Sequence, residues 1–310
     1  MLDKNDPKVF VATVIMVVNI IIHSLGIHLL RKTMTSVTSQ KLLIFHISLT
    51  ACLSNFIWLV NQGLLFTGYD ETSAAHAHNF GVELMLEGVL YMLMMFMTVD
   101  RLCAVVLSLK YPQYWGVKRT KIMLLTIWVI GVSVLICFQI LTYYYGVLYA
   151  VDAVIYMSVA ASLLFVVVAI VTYIVIFWKF KKSRDAMRRL QGPQGSSQSS
   201  ARLVKSKFYI PVLIIFTYLV FAAIPYIWSI GLYIGKVASD SDAEITIIIL
   251  WVSGYMCDGI IYIFFQRDVR KQLYVLVRSC TIRTNNRTSQ PHMTHADRFR
   301  GTLSMTTTSV

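Results

Sequence analysis

The sequence predicts an all-α membrane protein, a seven-transmembrane helix bundle with a short amphipathic helix on its inner surface. Three observations predict it. The 310 residues are 57% hydrophobic and only 14% charged, where a water-soluble protein carries about 25% charged residues. Apolar blocks of about 20 residues, each long enough to cross a bilayer, recur along the chain. The bases, finally, gather on alternate connections between those blocks.

The blocks run over roughly 9–30, 42–66, 80–107, 122–143, 154–178, 209–234 and 245–265. The first has no small-residue cleavage site and is too long for a signal-peptide core, so it reads as a retained span. The third holds Glu83 and Glu87, and the fifth is free of charge. The sixth contains Pro225, which a membrane helix accepts as a kink more readily than a soluble one. The expected organisation is a short extracellular N-terminus (1–8), a bundle (9–266), an amphipathic helix (267–280) and a disordered cytoplasmic tail (281–310). The tail is Ser/Thr-rich and lacks a hydrophobic pattern. "QGPQGSSQSSA", 191–201, reads as a flexible inner loop.

Charge orients the bundle. Of the 28 Lys and Arg, all but Lys4, Lys8 and Lys236 fall on one side of a seven-span arrangement. By the positive-inside rule that side is cytoplasmic. The expected location is thus the plasma membrane, multi-pass, with the N-terminus extracellular and the C-terminus cytoplasmic. The net charge of +13 is then a basic inner surface suited to anionic lipid and acidic partners, not a nucleic-acid signature. No cysteine falls in an outer segment, so no extracellular disulfide is expected. No metal-spaced cluster, phosphate loop or nucleophile triad is present in the sequence, which points away from an enzyme and from any cofactor or metal.

"FMTVDRLCAVV", 96–106, ends an apolar run on Asp100 and Arg101. An arginine at a helix end is ordinarily a snorkelling anchor. Three further features count against that: Lys110 and Tyr111 follow nine and ten residues later, Trp128 lies 27 residues on, and the seventh block ends "DGIIYIFFQRDVRKQL".

Together these resemble a rhodopsin-like (class A) G-protein-coupled receptor. "DRL" at 100–102 resembles Asp-Arg-Tyr, with Leu102 for Tyr. "DGIIY" at 258–262 resembles Asn/Asp-Pro-x-x-Tyr, with Gly259 for Pro. "FQRDVRKQL" at 265–273 resembles the family's inner-surface helix, and Tyr173 sits where the family has a tyrosine low in span five. Within the family the pattern is closest to the melanocortin, lysophospholipid, cannabinoid and adenosine receptors. The run "VKR" at 117–119, the short "YYYGVLYAVDA" loop, the missing cysteine near His76 and Phe165 near the usual span-five proline carry that likeness. The resemblance covers about 9–280. It implies an extracellular ligand, a heterotrimeric G protein docking beside Arg101, and a switch set of Asp100, Arg101, Tyr173, Pro225, Asp258 and Tyr262.

The departures matter too. Ala51 stands near the family's sodium-site acid, and Ala223 replaces the tryptophan before the span-six proline. Lys205 falls near the acid that often pairs with the span-three arginine. The resting state must therefore restrain Arg101 through Asp100 or another group, and raised basal signalling is expected. Span seven has no lysine, which excludes a retinal Schiff base.

Helix geometry adds a lead independent of the resemblance. Glu83 and Glu87 are one turn apart and share a face. Glu83 lies 18 residues before Arg101 and Glu87 lies 14 before it, so Glu83 points the same way as Arg101 and Glu87 within about 40° of it. They sit roughly 27 Å and 21 Å higher along the helix. A charge at such depth costs about 2.5–3.5 kcal/mol on insertion scales. Two readings of the acids stay open: a pocket for an ammonium, guanidinium or bound cation, or protonated acids bonded to neighbouring helices. By resemblance, Glu83 falls where amine receptors pair their ligand. Tyr226 and Trp251 complete the candidate ligand-binding set.

The remaining candidates lie elsewhere. His23 and His46 are expected to pack with one ring nitrogen bonded, and Trp128 to pack between spans. Cys280, after the amphipathic helix, is a lipidation candidate. The ending "TTTSV", with Thr308 and Val310, resembles a ligand for a PDZ-domain protein, and nearby hydroxyls offer phosphate sites for arrestin-like partners. Two rival functions are a heptahelical scaffold or decoy that does not couple, kept open by Leu102, Gly259 and Ala223, and a transporter or channel, for which paired interrupted spans and a carbonyl filter are lacking.

Overall fold

The computed structural model describes residues 7–34, 37–66, 74–107, 110–190 and 241–288, together with Leu213, Phe216, Thr217, Val220, Phe221, Pro225, Ile227 and Trp228. The described residues are helical throughout, with no strand. The helices are α1 (Pro7–Thr33), α2 (Ser39–Phe66), α3 (Ala74–Leu107), α4 (Tyr111–Tyr114), α5 (Val117–Tyr145), α6 (Val147–Leu190), α7 (Ser241–Phe265) and α8 (Arg267–Thr288).

Among the described residues, five helices are long and apolar enough to cross a membrane: Pro7–Thr33, Ser39–Leu64, His78–Ala104, Val117–Tyr145 and Thr246–Phe264. Seven were expected. The fifth predicted block falls in α6, where Leu163–Lys179 is a shorter apolar stretch. The sixth, 209–234, lies outside the described residues except at the eight positions above. The outward faces are oily. Phe10, Ile21, Leu125, Ile174 and Phe177 are each more than 60% exposed. Such rows are untenable in water but are solvated by lipid tails, as befits a membrane-spanning protein.

Local signals explain the helix ends. Arg31 and Lys32 occupy the last turn of α1, where cations meet the negative end of the helix dipole. Thr38 caps α2, its hydroxyl accepting from the Lys41 N–H at 3.3 Å. Pro112 sits in the first turn of α4, where a missing N–H costs nothing. The expected loop between spans four and five contracts to one residue. Gly146, at φ +86°, links α5 directly to α6 and donates its N–H to Thr142 O at 3.1 Å. That backbone region suits glycine, which has no Cβ to clash. The amphipathic helix is longer than expected and runs on to Thr288. Helix α6 has 44 residues, about 66 Å of length, and so outruns a hydrocarbon core of about 30 Å.

α3 is the hub and packs against α2, α5 and α6, while α1 packs against α2 and α7. α8 folds back onto α1 and α7. Leu29, Leu43, Ile44, Val89, Leu93 and Tyr262 belong to one buried core. Lipid and protein interior are equally apolar, so close packing holds such a core together more than exclusion from water does. Gly131 illustrates this: a Cβ there would collide with Val89 of α3.

Candidate functional site

Two polar sites lie within this bundle, one near each end of α3. The first is built around Asp100, whose side chain is fully buried. Its Oδ2 accepts from Arg101 Nε at 3.0 Å and also from Arg101 Nη2. Its Oδ1 accepts from Ser39 Oγ at 3.0 Å and from the Tyr111 hydroxyl at 2.6 Å. Ser39 gives its one proton to that carboxylate, so Thr120 Oγ1 donates to Ser39 Oγ, at 2.7 Å. Arg101 Nη1 donates to Gln40 Oε1 at 3.2 Å. Residues from α2, α4 and α5 thus converge on one α3 carboxylate. Burial, and then the bond to the Asp100 carboxylate, push the Tyr111 hydroxyl up to about 12.

The Arg101 side chain does not take the snorkelling conformation. A snorkelling arginine extends to solvent, whereas the Arg101 side chain is 20% exposed and folds back onto Asp100. Asp100 and Arg101 are paired with each other. Tyr173, partly buried in α6, lies within electrostatic range of Arg101. Lys205 lies outside the described residues.

A seam between α1 and α7 flanks this site. Asp258 is buried, and its Oδ1 accepts from Thr217 Oγ1 at 3.1 Å. The hydroxyl of Tyr262, one turn on, points at Met97 Sδ of α3 at 3.9 Å. Asn19 Nδ2 donates to Val252 O at 2.9 Å, and His23 Nε2 bonds Tyr255 O at 3.1 Å. A carbonyl can only accept, so Nε2 carries the imidazole proton. Gly259 allows the close approach: a Cβ there would stand 2.7 Å from Ile22 Cγ2 and 3.2 Å from His23 Cε1. Pro225 is buried. Below the pair, Lys41 joins α2 to α8: its Nζ donates to Thr33 O at 3.0 Å and pairs with Asp268 Oδ2 at 3.1 Å.

The second site holds the two acids. Glu83 and Glu87 are partly buried on one face of α3. Glu83 Oε2 accepts from Asn61 Nδ2 of α2 at 2.9 Å. One turn past Glu87, the ring of Tyr91 meets that of Trp251 in α7, centroids 6.2 Å apart. Of the four candidate ligand-binding residues, Glu83 and Glu87 share this site and Trp251 bounds it, while Tyr226 lies outside the described residues. Trp128 Nε1 donates to His46 Nδ1 at 3.3 Å, which ties α5 to α2. Cys280 belongs to α8, with its side chain outside the described residues, as are Thr308 and Val310.

Sequence reasoning missed Ser39, Gln40, Thr120, Asn61 and Lys41 as site residues, and noted Tyr111 only for its spacing from the pair. Only Asn61 carried a plain signal, an amide deep in an apolar block. No group of three or more His, Cys, Asp or Glu able to hold a metal occurs among the described residues. No protein-family model matches the chain, and no curated protein matches its sequence.

Proposed function

We propose that this chain is a divergent G-protein-coupled receptor of the rhodopsin-like type, lying in the plasma membrane with its N-terminus outside and its C-terminus in the cytoplasm. An extracellular ligand binds between the outer halves of the helices and favours one packing of the bundle. In that packing the sixth span swings out, and a heterotrimeric G protein docks beside Arg101, Tyr173 and Tyr262. A ligand acts this way only by binding one packing better than the other. Arrestin and a PDZ-domain protein are the further partners that the tail suggests.

The observation that carries this reading is the clamp on Arg101. A buried carboxylate, fixed by hydroxyls from α2 and α4 and braced through the first of them by a third from α5, holds a guanidinium at the helix end where coupling would occur. Such a group is released by repacking rather than by diffusion, which is what a switch requires. A second reading, a heptahelical scaffold that does not couple, draws support from the seam at Gly259. There His23 fills the space beside the backbone, and two α1 side chains bind α7 carbonyls.

The test is nucleotide exchange on purified G protein by the full chain in lipid nanodiscs. Exchange above empty nanodiscs, lost in Arg101→Ala, supports the receptor. No exchange with any G protein class, from a chain that is folded by thermal melting, supports the scaffold instead.

A further inference from the structure

We propose that the Glu83–Glu87 pair binds a small organic dication, a straight-chain diamine whose ammonium groups lie about 6 Å apart, the rise of four helical residues. The inference deepens the receptor reading and rests on it only in taking the bound molecule for the activating ligand.

Charge sets the first requirement. Among the described residues neither glutamate has a Lys, Arg or His partner. Among those residues, the hydrogen bond to the pair is that from Asn61 Nδ2 to Glu83. One ammonium would answer one carboxylate and leave its neighbour uncompensated in a weakly screening interior. Two positive charges on one molecule answer both.

The second requirement comes from Asn61. Its side chain is 4% exposed and its Oδ1 has no partner. Its amide nitrogen is engaged by Glu83, so the unpartnered oxygen belongs to a side chain that already touches that carboxylate. A buried acceptor left without a donor is costly. A bound dication would hold both glutamates ionised; the unfilled positions are then all acceptors, carboxylate oxygens and an amide oxygen, and a molecule rich in N–H donors complements them.

Shape sets the third. Both glutamates keep partial exposure. The Tyr91–Trp251 ring pair lies one helical turn beyond Glu87. Calcium or magnesium needs about six or more oxygens converging on a point. Carboxylates staggered along a helix suit an extended molecule better.

The experiment uses the full chain in lipid nanodiscs near neutral pH, with radiolabelled putrescine as probe and butylamine and calcium as competitors. Putrescine is expected to bind saturably, with butylamine competing about tenfold less well or worse. Glu83→Gln and Glu87→Gln should each weaken binding about tenfold or more, and Asn61→Leu by roughly threefold. Gln keeps the shape of Glu, and thermal melting reports whether each variant is folded. If one fails to fold, the others decide the matter. The proposal is overturned if putrescine does not bind, if butylamine competes as well as putrescine, if the folded variants bind like the unaltered chain, or if calcium displaces putrescine at lower concentration than putrescine itself requires. Failed binding with intact nucleotide exchange overturns this inference alone. Saturable binding with no exchange overturns the receptor reading and keeps the site.

Discussion

Asp100→Asn tests the clamp most directly. The replacement is nearly isosteric, and its remaining oxygen still accepts from Ser39 and Tyr111. What it loses is the carboxylate oxygen that takes two bonds from Arg101. Removing one partner of a fully buried ion pair costs about 3–5 kcal/mol. Arg101 is 20% exposed and retains Gln40, so water recovers part of that cost, and about 2 kcal/mol is the better figure, near that of a hydrogen bond to a charged group. If the clamp exists only in the resting packing, the same energy moves the balance between packings. At 1.4 kcal/mol per tenfold change, it raises the active fraction by up to roughly 30-fold. The assay is ligand-free nucleotide exchange in nanodiscs, read beside a thermal melt. The expected result is higher basal exchange with a lower melting temperature. Basal exchange unchanged in a destabilised variant would refute the idea that this pair restrains a switch, and would leave it a packing contact.

Three other outcomes follow from the same geometry. Gly259→Ala should destabilise the chain by about 1–3 kcal/mol, because the new Cβ has no room beside Ile22 and His23; the double change with His23→Ala should recover part of that loss in a thermal melt. Lys41→Met removes the partner of Asp268, which is 57% exposed and so accounts for no more than about 1 kcal/mol, and also the bond to Thr33 O, which brings the expected loss to about 1–3 kcal/mol, while hydrogen exchange in the first turn of α8 quickens. Tyr111→Phe removes a hydroxyl whose ionisation is raised to about 12 in the folded chain from an ordinary 10. A raised value means stability is fully present below pH 10 and declines as pH climbs towards 12. The melting temperature of the Phe variant should be flatter across that window than that of the unaltered chain.

Much of the fold was legible because membrane helices announce themselves by composition. The first four blocks and the seventh emerge as apolar helices with ends close to those expected. The pairing of Asp100 with Arg101 was legible too, as adjacent opposite charges ending an apolar run. The clamp around them was not. Tyr111 lies 11 residues from Asp100 in sequence, and only the chain reversal through α4 brings its hydroxyl back. Ser39 and Thr120 lie near the starts of helices, where small hydroxyl residues are common, so nothing in the sequence set them apart. Lys41 read as one more base on a basic face, because its partner Asp268 is more than 200 residues away. Helix α8 was cut short because its polar second half lacks the apolar stripe that marks a helix, although its backbone continues to Thr288.

The glycine elbow between α5 and α6 has a mechanical corollary. With a single residue joining two long rods, there is no slack at that corner. A tilt of either rod must pull its neighbour with it, and no flap of chain is available there to lie across the mouth of the bundle. Motion at that end of α5 is therefore passed on to α6 rather than absorbed at the corner.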